Sequence, residues 1–406
     1  MKKIFLLAIT VVLVMAFAVP AMAKVTIGGI VFVDAFWMHR DADWMQQAHG
    51  GFAGTAGRNN DASQTRFNLD VPSITRLNAR WVSKEGNVGM FIEFGIDGES
   101  SGENVGTRHA YGWWQINDIF KLIVGQTDET FAKLKPGQLM GLEDNVHIIG
   151  YMFGNYGNDR EPRVQVNAKL TDNFSLDVSA VYVRLNNTQV IPAGATVGAG
   201  TWAAAEEEPC MPKFEVMLTA KFGPVSIYPA FMYYKDKYAR DQGSGTVLPQ
   251  DDDEIVAYGW AIPVKFGYGP FSLAAEYVMG ENIATAGGGA GAQLAFAWDA
   301  QGDTRIIANQ ESNAFWIDLG YTVSPLASIH FIWGTQKEEL DRIGLANDRV
   351  RDSDMWGLTI PLNVAPHFKI TPSYFVYDWG DQEDGGQNLN GLGKETLAGV
   401  QFQVTF

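Results

Sequence analysis

The sequence predicts an all-β fold, a transmembrane antiparallel up-and-down β-barrel of sixteen strands. Three observations predict this fold class. The N-terminus carries an export signal, apolar and polar residues alternate in segment after segment, and short connections between these segments alternate with long ones. Beyond the N-terminal segment no apolar run is long enough for a spanning helix, a feature shared with soluble secreted β proteins, so the strand pattern has to decide between them.

The N-terminus has the layout of a secretory signal. Lys2 and Lys3 precede an apolar run at residues 4–19, and Ala21 and Ala23 have the spacing of a cleavage site. A transmembrane anchor is the alternative, but the run is shorter than the roughly 20 residues that a span needs. We therefore expect residues 1–23 to be a cleaved signal peptide and residues 24–406 to be one barrel domain.

Composition narrows the functional classes. The chain has 30 Lys and Arg residues against 46 Asp and Glu residues, a formal net charge of −16, which disfavours nucleic-acid binding. Cys210 is the only cysteine, so no intramolecular disulfide can form. No cofactor is expected, because the six histidines show no metal-ligand spacing.

Period-two alternation marks the strands, most clearly at 174–182, 214–222 and 356–364. Such alternation is typical of a strand with one apolar and one polar face. The predicted strands lie at about 25–38, 66–83, 88–97, 108–116, 120–126, 163–170, 174–184, 214–222, 225–235, 255–266, 271–279, 314–322, 327–335, 354–364, 368–377 and 396–406.

The connections distinguish a membrane barrel from a soluble sandwich. Short turns alternate with longer loops along the chain, which a Greek-key sandwich does not produce. We expect short periplasmic turns, long extracellular loops and both termini on the short-turn side. Sixteen strands enclose an aqueous channel, so the polar faces should look inward.

Aromatic residues recur near both ends of the outward faces, as expected of interfacial girdles. The pairs are Phe174 and Tyr182, Phe214 and Phe222, Phe271 and Tyr277, Phe315 and Tyr321, and Phe368 and Tyr374.

The last strand alternates up to a terminal Phe406, which resembles the signal that the insertion machinery reads in bacterial outer-membrane barrels. Residues 25–31 look like the first strand of Gram-negative porins, and residues 73–94 are similar to their second and third strands. The chain thus resembles the Gram-negative general (diffusion) porins.

The resemblance implies an outer-membrane homotrimer, surrounded by lipid and lipopolysaccharide, with a water-filled channel for passive diffusion of small hydrophilic solutes and ions. It also implies that the third loop, residues 127–162, folds into the lumen as a constriction. The Pro-Glu-Phe-Gly-Gly motif that enterobacterial porins carry in this loop is absent here.

The candidate constriction residues are charged. Arg76 and Arg80 fall on the lumen side of the second strand, where the resembling family carries a basic wall. Our hypothesis is that they form a positive wall opposite acids of the third loop, giving a transverse field. The alternative is that the arginines pair with neighbours such as Glu93. The acids that face the arginines are Asp128, Glu129, Glu143 and Asp144 of the third loop and Glu93 of the next strand. Further polar-face candidates are Arg163, Lys169, Lys221, Lys265 and Lys369.

Other functions remain as alternatives. A substrate-specific channel is the nearest, and a structural or adhesive outer-membrane protein would use the acidic loops at 206–208, 251–254 and 381–384. Those acids could instead concentrate cations, bridge divalent ions to lipopolysaccharide, or simply be solvated. An enzyme is not expected, because a barrel lipase needs an outward Ser-His pair with an orienting partner. Ser328 and His330 share a lumen face, and the sequence reveals no such partner.

Overall fold

The computed structural model describes the greater part of the chain after residue 23. The described residues are 24–43, 63–72, 74–97, 104–136, 160–183, 189–191, 203–204, 206–209, 211–239, 254–283, 295–298, 304–306, 310–340, 349–384, 387–389, 391 and 393–406. The predicted signal peptide, Cys210, Glu143 and Asp144 lie outside them. Within these ranges, no helix is both long and apolar enough to span a membrane.

Sixteen antiparallel strands form the wall, as predicted, and four of them consist of two segments. They are β1 (Lys24–Arg40), β2 (Gln64–Asp70 and Arg76–Val82), β3 (Val88–Asp97), β4 (Asn104–Gln115), β5 (Phe120–Asp128), β6 (Arg160–Lys169), β7 (Phe174–Val181), β8 (Glu206–Pro209 and Lys213–Phe222), β9 (Val225–Ile227 and Ala230–Ala239), β10 (Glu254–Tyr268), β11 (Phe271–Glu281), β12 (Gln310–Ser324), β13 (Ala327–Leu340), β14 (Arg349–Thr359 and Leu362–Ala365), β15 (Phe368–Asp378) and β16 (Lys394–Thr405).

Short strands outside the wall make two additions. Gln189–Ile191, Ala203–Ala204, Ala295–Trp298 and Thr304–Ile306 form a separate small sheet. Gln382–Asp384 pairs with the start of β14 and with Gln387–Leu389.

The first and last strands close the barrel. β1 pairs with β16 from Ile30 opposite Thr405 to Arg40 opposite Glu395, and its other edge pairs with β2. At the seam, the Phe406 amide donates to the Gly29 carbonyl at 3.2 Å, and the Gly29 amide donates to the Phe406 carbonyl at 3.1 Å. Closure pairs the two edges of the sheet with each other, which a bilayer requires because it has no water to satisfy backbone groups.

The outer face is apolar and carries the expected aromatic residues. Tyr182, Phe222 and Phe271 are more than half exposed. Rings on neighbouring strands contact each other, with centroids 5.7 Å apart for Phe174 and Phe222 and 5.1 Å apart for Phe271 and Tyr321.

The inner face is not uniformly polar, and here the sequence-based prediction was wrong. Two clusters of buried apolar side chains lie on it, and residues 129–136 of the third loop contribute to both. The prediction failed because period-two alternation shows which face of the sheet a residue lies on, but it does not show whether a loop covers that residue inside the barrel. The first cluster contains Phe36, Met38, Leu134, Trp316, Ile332, Met355, Phe375, Tyr377, Trp379 and Leu397.

Candidate functional site

The start of the third loop runs from the end of β5 into the lumen and forms hydrogen bonds with residues of β7, β8 and β11. The Thr130 amide donates to Glu215 Oε2 at 2.8 Å, and the hydroxyls of Thr130 and Ser179 lie 2.7 Å apart. Further on, the Leu134 amide donates to Glu276 Oε2 at 3.2 Å. These bonds satisfy loop backbone groups that are shielded from water, so they hold residues 129–136 inside the barrel.

Apolar side chains of this loop pack against apolar residues of the barrel wall. Phe131 and Ala132 join the second apolar cluster, where Met217, Met232 and other wall residues are buried, and Leu134 joins the first cluster. Burial of these apolar groups stabilises the inward position of the loop. The described part of the loop therefore has the inward fold that the sequence analysis expected.

A compact ionic cluster surrounds Glu215, the wall residue that accepts the Thr130 amide of the loop. Glu215 Oε2 lies 3.0 Å from Arg163 Nη1, and Glu215 Oε1 lies 3.1 Å from Lys213 Nζ. Lys213 also lies 3.3 Å from Glu161. Arg163, a candidate lumen residue, is 3% exposed, so the structure places it inside this cluster and not against the solvent.

A second ionic cluster surrounds Glu93 on β3. Glu93 lies 3.4 Å from Arg76, 3.0 Å from Arg108 and 3.8 Å from His109. Arg76 therefore has the partner that the alternative interpretation named. Arg108 was missed by the sequence analysis, because a β-bulge opposite Glu93 and Phe94 turns both Arg108 and His109 inward, which strict period two cannot indicate.

Asp128, where β5 ends, extends this cluster toward the loop. Its carboxylate lies 3.1 Å from Arg160 and 3.8 Å from both Lys135 and His109. Lys135 is outside the strands and its side chain is 41% exposed, so its partial burial between loop and wall lowers the pKa of its ammonium group while the charge of Asp128 opposes that shift. Arg160 and Lys135 were not among the sequence candidates.

A cavity of about 470 Å³ lies between the third loop and the wall. Glu129, another candidate, lines it but is only 7% exposed. The cavity has four lysines in its lining, Lys121, Lys133, Lys135 and Lys265.

An aromatic ladder runs along the adjacent wall, on the inward faces of β3 and β4. The ring centroids of Phe91 and Tyr111 are 5.7 Å apart, and those of Tyr111 and Trp113 are 6.2 Å apart. Arg80 Cζ lies 5.2 Å and Lys121 Nζ lies 5.6 Å from the Trp113 ring centroid. Arg80 thus faces the lumen beside an aromatic ring, 4 residues from Arg76 on the same strand.

The charges of the inner wall differ in exposure. Several acids are at most 8% exposed: Glu93, Asp177, Glu215, Glu276 and Asp318. By contrast, the cations Arg80, Lys133, Lys135, Lys221 and Lys265 are exposed, and Lys121 and Lys369 are partly exposed. Asp128 is also exposed, so water in the described part of the lumen meets this one acid of the loop cluster and a larger number of positive groups.

Ser328 and His330 face the lumen as predicted, but the expected lack of an orienting partner was wrong. Ser328 Oγ lies 3.2 Å from His330 Nε2, and His330 Nδ1 lies 2.9 Å from Asp318 Oδ1. Asp318 comes from the neighbouring strand β12, so its proximity is a consequence of strand register. The group lies on the inner wall, not on the lipid side where a barrel lipase would need it.

Comparison with known proteins identifies the family. The Gram-negative porin family model matches residues 8–361, most of the chain. The chain belongs to the Gram-negative porin family. A search of curated proteins finds no match.

Solved porins and channels share the fold of this porin at low identity. The outer membrane channel DcaP of Acinetobacter baumannii has a TM-score of 0.68 and 17% identity, over 96% of this chain and 99% of that chain. An anion-selective porin from Comamonas acidovorans has a TM-score of 0.57 and 13% identity, over 95% of this chain and 100% of that chain. The trimer form of OmpT of Vibrio cholerae has a TM-score of 0.52 and 11% identity, over 95% of this chain and 99% of that chain.

Fold and family together establish the general role. The protein is an outer-membrane porin, a channel for diffusion, and family and fold point to a channel rather than an enzyme.

Proposed function

We propose that this porin admits small anions in preference to cations of the same size. The observation that carries the proposal is the unequal exposure of lumen charges, because Glu93, Glu215 and Glu276 are buried while several lysines face solvent and Asp128 is an exposed acid among them. A narrow passage between walls of low dielectric focuses the field of such groups and concentrates counter-ions of opposite sign. The structurally similar porin from Comamonas acidovorans is described as anion-selective, which is consistent with this proposal.

Within the constriction, we assign the main role to Arg80, Lys121 and Lys265. Arg76 contributes less than its position suggests, since Glu93 lies 3.4 Å away and offsets its charge. Asp128 and Glu129 supply the acidic side at the loop, where Lys135 and Arg160 partly neutralise Asp128. Glu143 and Asp144 stay predicted members of this acidic side, and Arg163 acts by holding the wall beneath the loop.

Reversal potential in a planar bilayer with a KCl gradient tests the proposal. We expect the sign that indicates chloride preference for the native protein. Lys121→Gln combined with Lys265→Gln should shift the potential toward potassium, because both changes remove positive charge beside the cavity. Lys84→Gln is the control, since Lys84 lies exposed in the β2–β3 turn.

Two results would contradict the assignment. Cation preference in the native protein would overturn the proposal itself. A shift in Lys84→Gln as large as that in the double variant would mean that general surface charge, and not the lumen lysines, sets selectivity.

We further propose that the porin is a homotrimer embedded in lipid and lipopolysaccharide and inserted through recognition of Phe406. The trimer form named for the similar OmpT supports the assembly. Native mass spectrometry of the detergent-extracted protein should give three times the chain mass, and a monomer mass would refute the trimer.

A further inference from the structure

We infer that the lumen contains a binding site for small planar aromatic anions, such as aromatic carboxylates, formed by the Tyr111–Trp113 part of the ladder and the cations around it. The inference rests on the proposed anion preference and narrows it to a chemical class of solute.

Aromatic rings are concentrated on one patch of the inner wall. Strand pairing aligns Phe91 with Tyr111 and places Gly89 opposite Trp113, and these positions share the face of the sheet that carries Glu93, which is the inward face. Gly89 matters here because a Cβ at this position would overlap the Trp113 ring. The missing side chain lets the indole lie against the wall, where its ring stays part of the lumen surface.

Positive groups border the same patch. Arg80 and Lys121 both lie within 6 Å of the Trp113 ring centroid, at 5.2 Å and 5.6 Å. Tyr111 and Lys121 also line the cavity beneath the third loop, together with the apolar side chains of Ile123 and Leu134. The volume of about 470 Å³ falls in the range of small-molecule sites.

A second cation–aromatic pair lies by the loop. Lys133 Nζ is 5.7 Å from the ring centroid of Tyr228, and Lys133 lines the cavity. The cavity lining thus combines lysines of the wall and the loop with apolar side chains, and its lysines outnumber its two carboxylates, Asp128 and Glu129.

This combination recognises a ring and a charge together. Aromatic rings prefer offset or edge-to-face contacts with other rings, which adds to simple burial of apolar area. Lysine and arginine donors form charge-assisted hydrogen bonds with carboxylates. A saturated ring with the same carboxylate keeps the second contribution but loses the first, so comparing the two isolates the aromatic contribution.

Block of single-channel chloride current by added carboxylates tests the inference. Benzoate should block at about two- to tenfold lower concentration than cyclohexanecarboxylate, the range expected for an aromatic pair. Trp113→Leu should remove this difference. Trp114→Leu is the matched control, because the neighbouring Trp114 faces outward and is 48% exposed, and it should retain the difference.

The outcomes separate this inference from the proposed function. Equal block by both carboxylates in the native protein, with chloride preference intact, would overturn the aromatic site alone. Cation preference would overturn the anion proposal as well. If Trp113→Leu does not fold, Tyr111→Leu provides the second variant, and full discrimination in it would place the site elsewhere.

Discussion

Glu215→Gln should weaken the barrel and loosen the third loop. Glu215 accepts the Thr130 amide at 2.8 Å and faces Lys213 and Arg163 at 3.1 Å and 3.0 Å. Glu161 also lies 3.3 Å from Lys213, and the four side chains in these ion pairs are at most 6% exposed, with buried Glu129 as a further negative charge acting on Lys213. Glutamine preserves the shape but removes the carboxylate charge that lies within 3.1 Å of both buried cations, and breaking such buried ion pairs costs about 3–5 kcal/mol.

Urea unfolding in detergent micelles measures this loss, and single-channel recording measures the loop. We expect a lower unfolding free energy and larger current fluctuations, because the Thr130 anchor loses its charged acceptor. Glu85→Gln, an exposed acid in the β2–β3 turn, is the control and should change neither. A loss below about 1 kcal/mol with unchanged fluctuations would refute the reasoning, since that is the range of an exposed pair.

Two further predictions concern the wall. Gly89→Ala should destabilise the barrel by about 1–3 kcal/mol in the same urea assay, because the new Cβ overlaps the Trp113 ring. Gly106→Ala has open space and should stay within about 0.5 kcal/mol, so equal effects would contradict the overlap. Deleting Phe406 removes the backbone pair with Gly29 and should lower the amount of folded, heat-modifiable barrel in outer membranes; an unchanged amount would count against its role at the seam.

Most of the fold could be predicted from the sequence. The sixteen strands, the alternation of short and long connections and the outward aromatic residues follow from period two and turn composition. The same period placed Arg76 and Arg80 on the lumen side. These features are local, because each depends on residues that are neighbours along the chain.

The site depended on contacts between distant parts of the chain. Glu215 and Glu276 face inward by the same alternation, yet they are buried because residues 129–136 cover them. The register between neighbouring strands brings Asp318 within hydrogen-bond distance of His330. A β-bulge turns Arg108 inward, where it forms an ion pair with Glu93.

By itself, then, the sequence determined a closed barrel with a known side for nearly every wall residue, because alternation and turns are encoded within short segments. Only the tertiary structure decided which inward charges meet water. The path of the third loop across the lumen sets how exposed each inward side chain is. The free energy of a charged side chain depends on that exposure, because burial without a partner is costly.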